Sequence, residues 1–256
     1  MRHFLPHIIQ ENYRNNIPAG SLNACAMFAD LSGFTRLTDR LMRHGTEGAE
    51  ELSEVLNHIF QPTVALVYEQ GGFIPYFAGD SFTAIFPFNN NQEAQAAALR
   101  VIHTAQSMIS RFEREQADPG SVLSEHQIGL KVGLSAGEIH WGIVGDRRKA
   151  YYFRGAPIDA CAEAQTKAGS LQIVCDGEML RLTNPSMAGC TPVDGQFSVL
   201  NVSPEFSISG LSDVKKVYLP DPDPEIMAAF FPKEVYESKE IGEFRNVVSV
   251  FLSFEG

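Results

Sequence analysis

The chain is short of basic residues. Its 256 positions carry 20 Lys and Arg against 31 Asp and Glu, a formal net charge of −11. Such a deficit excludes a broad nucleic-acid or anionic-membrane surface, since both need basic patches. It leaves room for a small phosphate ligand, because a bound divalent cation offsets phosphate charge locally. No uninterrupted apolar run approaches the ~20 residues of a membrane-spanning helix. Met1-Arg2-His3-Phe4-Leu5-Pro6 lacks the apolar centre of a signal peptide. Cysteine is sparse too. Cys25, Cys161, Cys175 and Cys190 stand without the paired spacing of a metal site, and two lie in apolar strand-like runs, so reduced core thiols are expected. These absences describe a soluble, cytoplasmic protein with no transmembrane segment and no nucleic-acid partner.

What is present is organised around residues 24–35, Ala-Cys-Ala-Met-Phe-Ala-Asp-Leu-Ser-Gly-Phe-Thr. Small and apolar residues without internal charge read as a buried strand ending near Asp30. Gly33 allows a sharp turn, and Leu37 and Leu41 place a helix from Phe34 onward. A carboxylate at a strand end, beside the free N–H groups of a helix start, suits a cation carrying phosphate. The plainer reading of Asp30 is a helix N-cap.

Along the chain, residues 1–21 form a lead-in with a short helix around Ile8 and Ile9. Helical spacing from Phe34 to Tyr68 is interrupted at His44-Gly45-Thr46, which predicts two helices joined by a turn, and Pro62 is expected to start or kink a third segment. Apolar runs on either side of Ala78-Gly79-Asp80 predict a β-hairpin. Asn89–Arg114 opens in a polar loop and continues as a helix, and strands over Ile128–Leu134 and Gly137–Val144, a helix over Pro157–Lys167 and a strand over Leu171–Cys175 follow. That order predicts an α+β fold, an antiparallel-rich sheet with helices packed on one face. Pro-Asp-Pro-Asp-Pro at 220–224 reads as the start of a linker over 221–243. Phe231–Tyr236 and Arg245–Gly256 echo the Leu5–Ile9 and 24–33 stretches, with Ser253 in the place of Asp30, so 244–256 is expected to open a second copy.

If the first strand pairs with the hairpin, Asp30 and Asp80 enter one cleft. Mg²⁺ commonly takes one or two carboxylates plus substrate phosphates; the plainer reading of Asp80 is a turn residue. Phe28-Ala29-Asp30-Leu31-Ser32-Gly33-Phe34-Thr35 with Phe77-Ala78-Gly79-Asp80-Ser81-Phe82 resembles the class III nucleotidyl cyclase catalytic domain. It is most similar to the first catalytic half of the bicarbonate-responsive soluble adenylyl cyclases. Leu130–Gly137 and Gly155–Gln165 extend the resemblance over roughly residues 22–220.

The resemblance implies a ferredoxin-like βαββαβ core with extra strands. It implies that Asp30, Asp80 and the Leu31 carbonyl hold two Mg²⁺ or Mn²⁺ ions. Ser32, Gly33, Phe34, Thr35 and Lys131 would then meet the phosphates of ATP or GTP, although Lys131 also reads as a solvating charge at a strand edge. The 3′-hydroxyl would attack the α-phosphate. A complementary, C2-like domain supplies a base-reading Lys, an Asp or Thr, and a transition-state Asn and Arg in this family. At those places this chain has Tyr76, Tyr152, Asp159 and Glu163, and at the bicarbonate-pocket positions Tyr76 and Ala162. The expectation is half of an adenylyl cyclase, nearly inactive alone. The alternatives are a degenerate cyclase-fold dimerisation or regulatory module and, more remotely, a diguanylate cyclase, whose Gly-Gly-Asp/Glu-Glu-Phe hairpin Ala78-Gly79-Asp80-Ser81-Phe82 resembles.

Overall fold

Alternation along one long strand, β1 (Ala19–Ser32), divides the core in two. Cys25, Met27, Ala29 and Leu31 enter one apolar cluster, whereas Ala24, Ala26 and Phe28 enter another on the opposite face. The computed structural model describes residues 5–183, 188–203 and 223–233. Within it β1 lies between β3 (Ser81–Phe88) and β4 (Gly129–Val144), antiparallel to both. With β2 (Phe73–Ala78), β6 (Gln172–Asp176), β7 (Ala188–Pro192) and β8 (Phe197–Val202) the sheet runs β2-β3-β1-β4-β6-β8-β7, and β5 (Ala150–Arg154) pairs with the end of β4. The β4–β6 ladder is parallel and the others are antiparallel.

Helices α2 (Phe34–Leu41), α3 (Gly45–Glu69), α4 (Asn91–Ala117) and α7 (Gly177–Leu182) cover the face of Met27 and Leu31, with Phe82, Phe86 and Phe112 between. The α+β class and the mostly antiparallel sheet are as the sequence predicts. The opposite face is covered too, by α6 (Ala156–Lys167), with α1 (His7–Arg14) and α8 (Pro224–Phe230) contributing to its cluster.

Four local expectations are corrected. Pro62 neither starts nor breaks a helix; α3 runs through it for 25 residues. Proline removes the N–H that would bond the His58 carbonyl, and Arg111 of α4 donates to that carbonyl at 3.0 Å instead. The strands expected at 128–134 and 137–144 are one strand of 16 residues, because β1 is long enough to pair with it across Gly137. The first strand itself begins at Ala19, inside the expected lead-in. Part of the expected linker is α8: Asp223 caps it through the Glu225 N–H, Pro224 takes its first turn, and Ile226, Met227 and Phe230 are buried. The second-copy strand at 244–256 lies outside the described residues.

The thiols of Cys25, Cys161 and Cys175 are free and buried, and Cys190 is free and exposed. Burial pushes Cys25 and Cys175 up to about 12. Among the described residues no helix is long and apolar enough to cross a membrane.

Close approach of α6 to the sheet depends on Gly133. A Cβ there would stand 1.9 Å from the Cys161 carbonyl oxygen and 2.4 Å from the Gln165 nitrogen, both helix backbone. Gly133→Ala must therefore displace α6. Overpacking costs about 1–3 kcal/mol, so the melting temperature should fall by roughly 3–10 °C for a domain of this size. Unchanged thermal unfolding by circular dichroism would contradict the packing described.

Candidate active site

Two ladders meet at Asp30. It stands opposite Ser81 on β3 and opposite Lys131 on β4, so the three side chains leave the sheet on the face that carries α6. From α6, Gln165 Nε2 donates to Asp30 Oδ2 at 2.8 Å. Asp80 arrives from the hairpin. Gly79 turns the chain at φ +64, Ser81 Oγ donates to the Ala78 carbonyl at 2.9 Å, and the Asp80 carbonyl accepts the Leu31 N–H at 3.3 Å. That last bond ties the tip of the hairpin to the end of β1. Asp80 is thus a turn residue and a neighbour of Asp30 at once.

Asp30 is not an N-cap. The cap of α2 is Gly33, in the left-handed region at φ +88, where a Cβ would stand 2.8 Å from the Gln127 carbonyl oxygen. No side chain caps α2, so the N–H groups of its first turn are open to an anion. Phe34 and Thr35 lie in that turn, with Thr35 exposed. Leu31 is buried, and Ser32 Oγ lies 3.4 Å from Ser170 Oγ.

Charge is unbalanced here. Burial raises the Asp30 carboxyl above its ordinary value, and the Asp80 charge raises it further; Lys131 and the Gln165 hydrogen bond oppose them. Among the described residues no group of three or more His, Cys, Asp or Glu gathers as a metal site. The donors available are two carboxylates and a backbone carbonyl, all oxygen. That set fits Mg²⁺ or Mn²⁺ completed by phosphate oxygens, not a soft-metal cage.

Asp30, Leu31, Ser32, Gly33, Phe34, Thr35, Asp80 and Lys131 therefore share one end of the sheet. Of the remaining candidates, Tyr76 pairs with Thr83, two positions along β3 from Ser81, Asp159, Ala162 and Glu163 lie on α6, and Tyr152 stands apart on β5. Tyr76 on β2 is 39% exposed. Burial raises its phenol first, with the Cys161 thiol and Asp159 adding to that, which places it beside the first turn of α6. Asp159 and Glu163 are exposed one turn apart on α6, with Ala162 half-buried next to them. Tyr152 stands opposite Gly142, 11 positions along β4 from Lys131 (142 − 131), or roughly 36 Å of strand at about 3.3 Å per residue. The sequence alone does not single out Gln165. Its signal is a polar residue four positions after buried Cys161 on the helix face that meets Gly133.

Comparison with known proteins places the chain in a family. A family model described as the adenylate and guanylate cyclase catalytic domain matches residues 19–217. Adenylate cyclase type 10 of Mus musculus is 30% identical over 176 residues, 68% of this chain and 10% of that protein. The Homo sapiens protein is 29% identical over 176 residues, 68% of this chain and 11% of its own length. The chain thus spans about a tenth of the length of these curated relatives. Among solved structures, the adenylyl cyclase CyaB from P. aeruginosa has a TM-score of 0.59 at 19% identity, covering 74% of this chain and 98% of that one. The guanylate cyclase domain of RhGC from Catenaria anguillulae, in complex with GTP, has a TM-score of 0.58 at 15% identity, covering 72% and 98%. These two share the fold. The match takes in the Asp30 strand end, the Asp80 hairpin and the Gly155–Gln165 helix in one continuous span, and the chain belongs to the adenylate and guanylate cyclase catalytic domain family.

Proposed function

We propose that this domain is the metal-bearing half of an adenylyl cyclase, converting ATP to 3′,5′-cyclic AMP and pyrophosphate when a complementary, C2-like cyclase domain completes its site. The observation that carries this reading is the mismatch between two sets of residues around α6. Asp30, held by Gln165 of α6, and Asp80 stand beside an uncapped helix start. The same helix exposes Asp159 and Glu163, where the resemblance calls for an amide and a guanidinium. The adenylate cyclase relatives support ATP over GTP.

Asp30, Asp80 and the Leu31 carbonyl would hold two divalent cations, which when bound neutralise phosphate charge and favour ionisation of the 3′-hydroxyl. The chain's own residues position the substrate. First-turn N–H groups at Gly33 and Phe34, the Thr35 hydroxyl, Ser32 and Lys131 would hold the β- and γ-phosphates. Held so, the 3′-oxygen can form its bond to the α-phosphorus while the bond to the pyrophosphate oxygen breaks. Gln165 keeps the Asp30 carboxylate turned toward the ligand end. Its replacement by Ala removes one hydrogen bond, a net loss of about 0.5–1.5 kcal/mol. Mn²⁺-dependent ATP affinity should then fall roughly 2- to 10-fold. Equal affinity in calorimetry would reduce Gln165 to a packing residue.

The second reading is a dimerisation or regulatory module, favoured by the same two α6 carboxylates. Titration of ATP into the purified chain with Mn²⁺ and with EDTA separates the two. A half-catalyst binds ATP in a metal-dependent way; a module shows no difference between the two conditions.

A further inference from the structure

Behind the helix start, α2 and α5 (Val122–His126) form an open cleft of about 280 Å³, lined by Arg36, Leu37, Arg40, Glu125, His126 and Gln127. Arg36 and Arg40 are one turn apart on the same face of α2, a like-charge pair that opposes helix formation. The Arg40 guanidinium meets His126 Nδ1, not a carboxylate. Among the described residues neither arginine takes part in an ion pair. In a chain with a net charge of −11, acidic partners are plentiful, yet Glu125 is the one carboxylate lining this cleft. The cleft also touches the turn before α2: a Cβ on Gly33 would stand 2.8 Å from the Gln127 carbonyl oxygen and 3.8 Å from an Arg36 guanidinium nitrogen.

We propose that this cleft binds a phosphate-class oxyanion, orthophosphate or pyrophosphate, at a site separate from the metal end. Guanidinium forks match phosphate oxygens in pairs. Two neighbouring guanidiniums favour a multiply charged anion over a single carboxylate. Against the ~30 Å³ that one water occupies in the liquid, the cleft has room for either ion with bridging waters. None of the carboxylates at the sheet end takes part, so the site stands whether or not the cyclase reading does.

The test is calorimetric titration of the full chain, freed of metal with EDTA and without nucleotide, at constant ionic strength. Orthophosphate and pyrophosphate are titrated separately. The expected result is saturable binding of at least one ion, weakened 10-fold or more in Arg40→Gln and in Arg36→Gln with thermal unfolding unchanged. Arg40→Lys, which keeps the charge and loses the fork, should fall between. Tighter pyrophosphate would identify the ligand as a reaction product; tighter orthophosphate would identify it as the free ion. Should Arg40→Gln fail to fold, exposed Arg36 decides the matter alone. Saturable binding of neither ion overturns the proposal. So does binding that Lys131→Gln abolishes and the α2 arginine variants leave intact, since the anion would then sit at the metal end.

Discussion

Mixed with a complementary cyclase domain that carries the base-reading Lys and the transition-state Asn and Arg, the chain should gain cyclic AMP production by 10²-fold or more over the same chain alone. The magnitude follows from charge. Without a partner of that kind, a pair of identical chains would put Glu163 where a guanidinium must face developing negative charge. Removing one such stabilising contact costs about 2.7–4 kcal/mol, roughly a factor of 10²–10³ in rate. A carboxylate in its place does more than remove the contact, because it repels. Glu163 and Asp159 are exposed on α6, so they can be exchanged without disturbing the core. Glu163→Arg with Asp159→Asn should raise the activity of the chain alone, and Glu163→Gln should raise it less. Equal rates with and without the complementary domain, measured as product per domain pair, would end the half-catalyst reading.

Asp30→Asn and Asp80→Asn should each cut the activity of the completed pair by about 10²-fold or more, because the charge stabilisation by cations that the two carboxylates are proposed to hold is worth several kcal/mol. Asp30→Asn should also stabilise the metal-free fold. The Asp30 carboxyl is raised in the folded chain, by burial first and by Asp80 second. The folded state therefore binds that proton more tightly than the unfolded state does. Its electrostatic cost is absent below the ordinary carboxylate range, grows as pH rises from that range toward the raised folded value, and levels off above it. Asparagine removes that cost while keeping the side chain's shape. Thermal unfolding in EDTA at pH 7 should thus shift upward in Asp30→Asn, and the gain should shrink as pH falls toward the ordinary carboxylate range and vanish below it. Added Mn²⁺ should raise the wild-type melting point and leave the variant unmoved. A variant that melts lower than wild type in EDTA at pH 7 would show that Asp30 has a structural partner instead.

Much of this was legible in short stretches of sequence, and the exceptions share a cause. The Asp30 strand end, the Gly33 turn and the Asp80 hairpin each announce themselves within about ten residues, because backbone turns and strand runs are local. Gln165 could not be read that way. Its partner is 135 positions away, and the contact exists only because Gly133 lets α6 lie close on β4. Pro62 is illegible for a similar reason: the carbonyl that it orphans is satisfied by Arg111, a residue of another helix. Proline-rich residues 220–224 concealed α8, although Asp223 and Pro224 are the cap and first residue that a helix start favours. The cleft between α2 and α5 was invisible for want of α5 itself, a five-residue helix that places His126 against Arg40.

Asp30 and Asp80 are expected to serve one divalent-cation site, and equilibrium titration of Mn²⁺ into the chain with ATP present tests that directly. The predicted result is saturable binding in the wild type, weakened at least 10-fold in both Asp30→Asn and Asp80→Asn. Wild-type affinity in either variant, with the protein folded, would contradict it.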